Sequence, residues 1–141
     1  MRLWHPYLIK VLPNEQLVAL WRELSTCASS IQQKGTPNHP LANFIMDYNF
    51  DNFISYAYYV REEMIWRGYR TMNNVWEKII SLKPNYTIIP LALVYLAKMN
   101  NIYFDACWYN LYEKYLCGGI NEKDWKKIDE LAKSLKSNYY V

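Results

Sequence analysis

An all-α fold, built as one compact helical domain over residues 1–141, is what this sequence predicts. Three observations carry that prediction. Apolar residues recur at spacings of three and four along most of the chain, which places them on one face of a helix. Strand-like alternation is weak throughout, with residues 86–89 the one short candidate. The composition is 52% hydrophobic, enough for a sizeable core, and 141 residues suit one domain rather than two.

Residues 1–12 are apolar and aromatic around Pro6 and read as an irregular arm lying across the body. Pro13-Asn14-Glu15-Gln16 opens the first helix, running to about residue 30, with Pro or Asn at the start and an acid in the first turn. Leu17, Leu20, Trp21, Leu24 and Cys27 form its core stripe, and Arg22 and Glu23 fall off that stripe or at its border. Gly35-Thr36-Pro37-Asn38-His39-Pro40 is the most loop-like stretch. A second helix over about 51–67 buries Phe53, Ile54, Ala57, Val60, Met64 and, at its end, Trp66. Arg61, Glu62, Glu63 and Arg67 stay in water, and Gly68 suits the C-terminal cap. A short helix over 73–82 carries Val75, Trp76, Ile79 and Ile80. Pro84 and Pro90 break the pattern, after which 91–99 and 104–116 read as helical, closed by Gly118-Gly119. The last helix begins at Asn121, with Asp124 in its first turn and Trp125, Ile128, Leu131, Ala132 and Leu135 on its apolar face.

The net charge of +3 permits a nucleic-acid partner without demanding one. Lys123, Lys126, Lys127, Lys133 and Lys136 are interrupted by Asp124, Asp129 and Glu130, so they read as a solvated helix face. Cys27, Cys107 and Cys117 form an odd set with no CxxC pair; buried free thiols in a reducing, cytoplasmic setting follow, rather than a disulfide framework. His5 and His39 show no metal-ligand spacing, so no metal is expected, and a metal-dependent nuclease is disfavoured. No apolar run approaches ~18 residues, so no membrane partner is expected. Tyr and Trp are abundant and suit the edge of a core or a groove. Trp108, Tyr109, Tyr112 and Tyr115 are spaced as a core-facing helix stripe.

The opening Met1-Arg2-Leu3-Trp4-His5-Pro6-Tyr7-Leu8-Ile9, followed by Leu12-Pro13, Gln16-Leu17 and Arg22-Glu23, resembles the pyrimidine-dimer DNA glycosylase family typified by phage endonuclease V. Within that family it is most similar to a bacterial branch that begins with the same Met-Arg-Leu-Trp-His block. His39, Asn43-Phe44, Glu62-Glu63-Met64 and Arg67-Gly68-Tyr69 keep the order and spacing of that branch. Cys107 and Asn110-Leu111 are a fainter echo, and the resemblance is clearest over residues 1–69.

The resemblance implies an all-helical, cofactor-free DNA repair glycosylase with AP-lyase activity, whose partner is duplex DNA carrying damaged pyrimidines. It implies that the α-amine of Met1 attacks C1′ of the damaged nucleotide, that a Schiff base forms, and that β-elimination nicks the strand. An α-amine suits this role because its pKa is near ~8 where a lysine's is about 10.4. Glu23 falls on the family's catalytic glutamate and Arg22 on an adjoining arginine that lies by the DNA. Arg2, His5, His39 and Asn43 complete the expected DNA-contacting set. His5 lies near the α-amine if the arm folds over the first helix. His39 and Asn43 serve either a ligand or their own loop. Three positions depart from the family pattern: the bulky Arg2 predicts that Met1 is retained, and Ser25 and Thr26 stand where the phage enzyme has cations. Phosphate neutralisation dominates DNA affinity. The alternative reading is therefore a non-catalytic helical binding or interaction protein that keeps the family fold only.

Overall fold

The computed structural model describes residues 2–139, and the described residues form five α-helices and three short 3₁₀ helices with no strand. A 3₁₀ helix spans Pro6–Val11; α1 is Asn14–Lys34, α2 Phe50–Trp66, α3 Asn73–Ile80, α4 Asn101–Leu116 and α5 Glu122–Tyr139. Helices α1 and α2 pack on each other at the centre, α3 covers both, and α4 pairs with α5. The first 3₁₀ helix lies against α2 and α5.

The helix starts are written locally. Asn49, Asn100 and Asn121 each accept a backbone N–H from the turn they precede, at 2.9, 2.9 and 2.8 Å. Helix α1 runs past the expected residue 30 to Lys34 and stops where Gly35 turns left-handed at φ 75°. Gly68 does the same after α2, at φ 88°, where the N–H of Tyr69 returns to the carbonyl of Met64.

The core contains the predicted stripes. Leu17, Leu20, Trp21, Leu24 and Cys27 of α1 meet Phe53, Ile54, Ala57, Val60 and Met64 of α2. Ile128 and Ala132 of α5 are buried as well, with Trp125, Leu131 and Leu135 packed at the margin.

Five expectations are corrected. The arm is not irregular throughout: Pro6–Val11 form a 3₁₀ helix that buries Leu8 and Ile9, and Leu3, Trp4 and Leu12 on either side of it are core residues as well. Trp66, expected inside, is 85% exposed, since it sits on the last turn of α2 beyond the packed stripe. The stretch 91–99 is no continuous helix; a 3₁₀ turn at Leu91–Leu93 is followed by Tyr95 at φ 50°, a left-handed conformation that no helix propagates. Cys117 is exposed beyond the end of α4, whereas Cys27 and Cys107 are buried. Arg61, Glu63 and Arg67 are half-buried rather than in water, and only Glu62 of that set is exposed.

Segment 86–89 is not a strand but still satisfies its backbone. The N–H of Thr87 donates to the Asp51 carboxylate at 2.9 Å, and that of Ile89 to the Ser55 hydroxyl at 2.8 Å. The Tyr59 hydroxyl donates to the Ile89 carbonyl at 2.7 Å. Side chains of α2 thus replace the ladder that a neighbouring strand would have supplied.

Arg67 closes the other end of the molecule. Its guanidinium donates to the carbonyls of Leu12 at 2.6 Å and Lys10 at 3.2 Å, to the Asn14 side chain at 3.0 Å and to Glu63 at 3.0 Å. The carbonyls at the end of a helical turn lack internal partners, and a cation there also opposes the helix dipole. Arg67→Met should lower the unfolding free energy by about 2–3 kcal/mol, the value of charge-assisted bonds to partly buried carbonyls. Arg67→Lys should recover only a minor part, because a compact ammonium cannot span the same acceptors. Urea midpoints of the three proteins check both expectations.

Candidate active site

A cleft of about 480 Å³ opens where the start of the chain, α1 and α4 meet. Gln16, Ala19, Leu20 and Glu23 line it from α1, at helical spacing along one face. Arg2 and Trp4 form the side supplied by the arm; Asn110 and Lys114, one turn apart on α4, form the opposite side. Glu15 and Leu41 stand at its border. Its lining brings apolar side chains together with two carboxylates, Glu15 and Glu23, and two cations, Arg2 and Lys114.

Glu23 is half-buried, and burial raises its carboxyl above the usual range. The backbone N–H of Arg2, and the charges of His39 and Arg22, pull in the opposite direction and stabilise the ionised form. Burial prevails. Beneath Glu23, burial pushes the Cys27 thiol up to about 11, so it stays protonated and inert at neutral pH. The side-chain oxygen of Gln16 is buried without a hydrogen-bond partner. An amide left in this condition beside a cleft is a polar group available to a bound molecule.

The expected site residues divide into three sets. Glu23 and Arg2 line the cleft, and His39 acts electrostatically on Glu23 from the loop beside it. Arg22 is exposed on the flank of α1, next in sequence to Glu23. Asn43 is spent on its loop: its carbonyl oxygen accepts the His39 N–H at 3.0 Å and the Thr36 hydroxyl at 3.4 Å. The Nδ1 of His39 accepts the Leu41 N–H at 3.2 Å, so the ring is oriented by the loop that carries it. His5 is 6% exposed and away from the cleft. Its Nδ1 caps the 3₁₀ helix through the Tyr7 N–H at 3.2 Å, and its Nε2 lies 2.9 Å from the Met99 carbonyl. Both ring nitrogens are therefore occupied by the fold itself, and burial lowers the pKa of the ring. The expected catalytic residue Met1 lies outside the described residues.

Among the cleft residues that sequence reasoning did not single out as site residues are Trp4, Gln16, Leu41, Asn110 and Lys114. Gln16 had a signal, since it lies seven residues before Glu23 and so on the same helix face. Asn110 had only its place in the fainter family echo and Lys114 had no signal, because only the packing of α4 across the arm brings them near. The aromatic run of α4 faces elsewhere. Trp108 stacks on Tyr112 at 5.2 Å and Tyr115 on Trp125 of α5 at 5.1 Å, which makes a seam between those two helices.

A family model described as pyrimidine dimer DNA glycosylase matches residues 1–77. The chain belongs to this family. Comparison with curated proteins and with solved structures returns no match. The glycosylase match takes in the arm, all of α1 and α2, and most of α3, and with them Arg2, Glu23 and His39. It stops before α4, so Asn110 and Lys114 enter the cleft from the unmatched half. Among the described residues no group of three or more His, Cys, Asp or Glu side chains could hold a metal ion, and no helix is long and apolar enough to cross a membrane.

The raised carboxyl of Glu23 has a measurable consequence for stability. In the folded chain the neutral acid is favoured, so the unfolded chain loses its proton first as pH rises. Stability attributable to Glu23 therefore falls as pH climbs from the ordinary carboxylate value through the raised one. Glu23→Gln carries no such proton and keeps an oxygen for the Arg2 N–H. Its urea midpoint should exceed the parent's near pH ~7, and the difference should close near pH ~4. Equal differences at both pH values would contradict the assignment.

Proposed function

We propose that this family member is an active DNA glycosylase with AP-lyase activity on pyrimidine dimers in duplex DNA, working through the α-amine at the head of the chain. The whole chain is taken to act as one helical domain, since α4 completes the cleft. The observation that carries the reading is the contact between the Glu23 carboxylate and the Arg2 backbone N–H. The chain's α-nitrogen is one residue ahead of that amide, and backbone bond lengths keep the two nitrogens within about 4 Å. Glu23 is thus in reach of the amine's chemistry.

The reaction balances without a cofactor. The amine attacks C1′, the bond from C1′ to the base breaks, and the base departs with a proton. Opening of the sugar ring leaves an imine between the chain and C1′. Loss of a proton from C2′ then expels the 3′ phosphate, which nicks the strand. A carboxyl whose pKa is raised toward neutrality exchanges protons more effectively than an ordinary one. Glu23 fits that work at the ring oxygen and at the departing base. Arg2 and Lys114 bring positive charge to the cleft walls, where the phosphates flanking a lesion would lie. Arg22 and His39 remain candidates for DNA contact on the flank beside Glu23.

The second reading, a helical binding protein without catalysis, draws on the modest charge of +3 and on Ser25 and Thr26 in place of cations. Borohydride separates the two. The active protein should be trapped on duplex DNA holding an abasic site or a pyrimidine dimer, and the link should map to the nitrogen of residue 1 rather than to a lysine. Glu23→Gln should bind the duplex as the parent does and cleave it roughly 10²–10⁴-fold more slowly. Acetylation of the amine should abolish trapping. A native protein that binds damaged duplex but never traps would leave the second reading standing.

A further inference from the structure

We propose that α4 is the seat of the catalytic arm and that Tyr103, assisted by Tyr56 of α2, is a positioning residue that fixes the start of the chain against Glu23. The inference rests on the reading that residue 1 carries the nucleophile. It concerns what holds that nucleophile, and it places the holding groups partly outside the segment the family model matches.

Consecutive residues of the arm are gripped one after another. The Tyr103 hydroxyl donates to the carbonyl of Leu3, and the Tyr56 hydroxyl donates to the carbonyl of Trp4 at 2.5 Å. The side chain of Arg2 is hydrogen-bonded to both the Tyr103 hydroxyl and the Cys107 sulfur. The backbone N–H of His5 donates to that same sulfur, and its ring meets the edge of Phe104 at 5.2 Å and the Met99 carbonyl at 2.9 Å. Met99 stands two residues ahead of α4, while Tyr103, Phe104 and Cys107 stand on its first two turns at helical spacing. Leu3 is 0% exposed and Trp4 6%, so water does not compete for these carbonyls.

Tyr103 does not line the cleft. Its hydroxyl acts two residues from the proposed nucleophile, through the Leu3 carbonyl and the Arg2 side chain. Without that hydroxyl the residues ahead of Trp4 regain torsional freedom, and the amine samples positions away from C1′. A misplacement near one ångström is enough for a large loss of rate. Binding of DNA, which draws on Lys114 and the other cleft groups as well as on Arg2, should fall far less than the rate.

The test is single-turnover borohydride trapping on duplex DNA with an abasic site, across a range of DNA concentrations. Tyr103→Phe should lower the maximal trapping rate roughly tenfold or more, with a much smaller change in the half-saturating DNA concentration. Tyr59→Phe is the comparator, because its hydroxyl also donates to a single carbonyl, that of Ile89 at 2.7 Å, which is outside the arm. It should trap at the parent rate. Tyr56→Phe should slow trapping in the manner of Tyr103→Phe and serves if the latter folds poorly. The proposal is overturned if Tyr103→Phe and Tyr56→Phe trap as fast as the parent, or if Tyr59→Phe slows equally. A parent that traps no DNA removes the glycosylase reading instead, and amide exchange then tests the seat directly. The amides of residues 3–5 should exchange faster in Tyr103→Phe while those of α1 do not change, and unchanged exchange at 3–5 overturns the proposal.

Discussion

Most of residues 2–12 are buried without belonging to a sheet or a long helix, and much of the structure answers to that fact. Leu3, Trp4, Leu8, Ile9 and Leu12 are core side chains, so their peptide groups leave water with them. A buried carbonyl without a partner costs about 1–3 kcal/mol, and a regular element would normally supply the partner. Here side chains from distant elements do so. Tyr103 serves Leu3, Tyr56 serves Trp4, and Arg67 serves Lys10 and Leu12. These partners come from α4, from the middle of α2 and from the residue after its end. Burying the arm therefore fixes how α2 and α4 sit, and α1 follows through the core it shares with α2 and through the Asn14 contact with Arg67.

The same burial sets the electrostatics of Glu23. Its carboxyl lies on the α1 stripe that borders the arm, half in water, with the Arg2 N–H, His39 and Arg22 opposing the effect of desolvation. Were the acid packed deeper it would lose these partners; were it fully solvated it would titrate as any surface glutamate does. The intermediate position costs stability at neutral pH and gives a carboxyl suited to proton exchange, which is the exchange of stability for chemistry that functional sites make. Cys27 shows the other outcome. One turn along α1 and fully buried, it gains a raised pKa with no reachable chemistry.

Helical periodicity made α1, α2 and α5 legible in the sequence, because each buries a stripe that repeats at three and four residues. It was silent where tertiary contacts govern. No local pattern announces that Trp66, an apolar residue in register, falls past the last packed turn. Nor does one announce that Tyr95 takes φ 50° so that its ring can enter a cluster with Phe44, Tyr48 and Tyr56. The family blocks mix two kinds of residue that sequence alone could not separate. Glu23 and Arg2 face the cleft, whereas His5, Asn43 and the Arg67-Gly68-Tyr69 run hold the scaffold that shapes it. A histidine or asparagine in a family block is chemically able to meet a ligand, and only its hydrogen-bond partners reveal that the backbone has already claimed it.

The charge of the α1 flank is a further case in which local sequence misleads. Ser25 and Thr26 remove cations from the helix itself, yet the ammonium of Lys78 reaches over from α3 and donates to Ser25 at 2.7 Å and to Ser29 at 2.8 Å. Those hydroxyls are small enough to admit the lysine and polar enough to replace part of its hydration, a fit that a long basic side chain at either position would block. Arg22 lies three and seven residues before them and so shares this face of α1. Positive charge is thus delivered to the flank beside Glu23 by a neighbouring helix instead of by the helix that carries the glutamate. Because phosphate attraction depends on where charges lie in space and not on their order in the chain, counting the cations of α1 alone understates what this face presents to a polyanion.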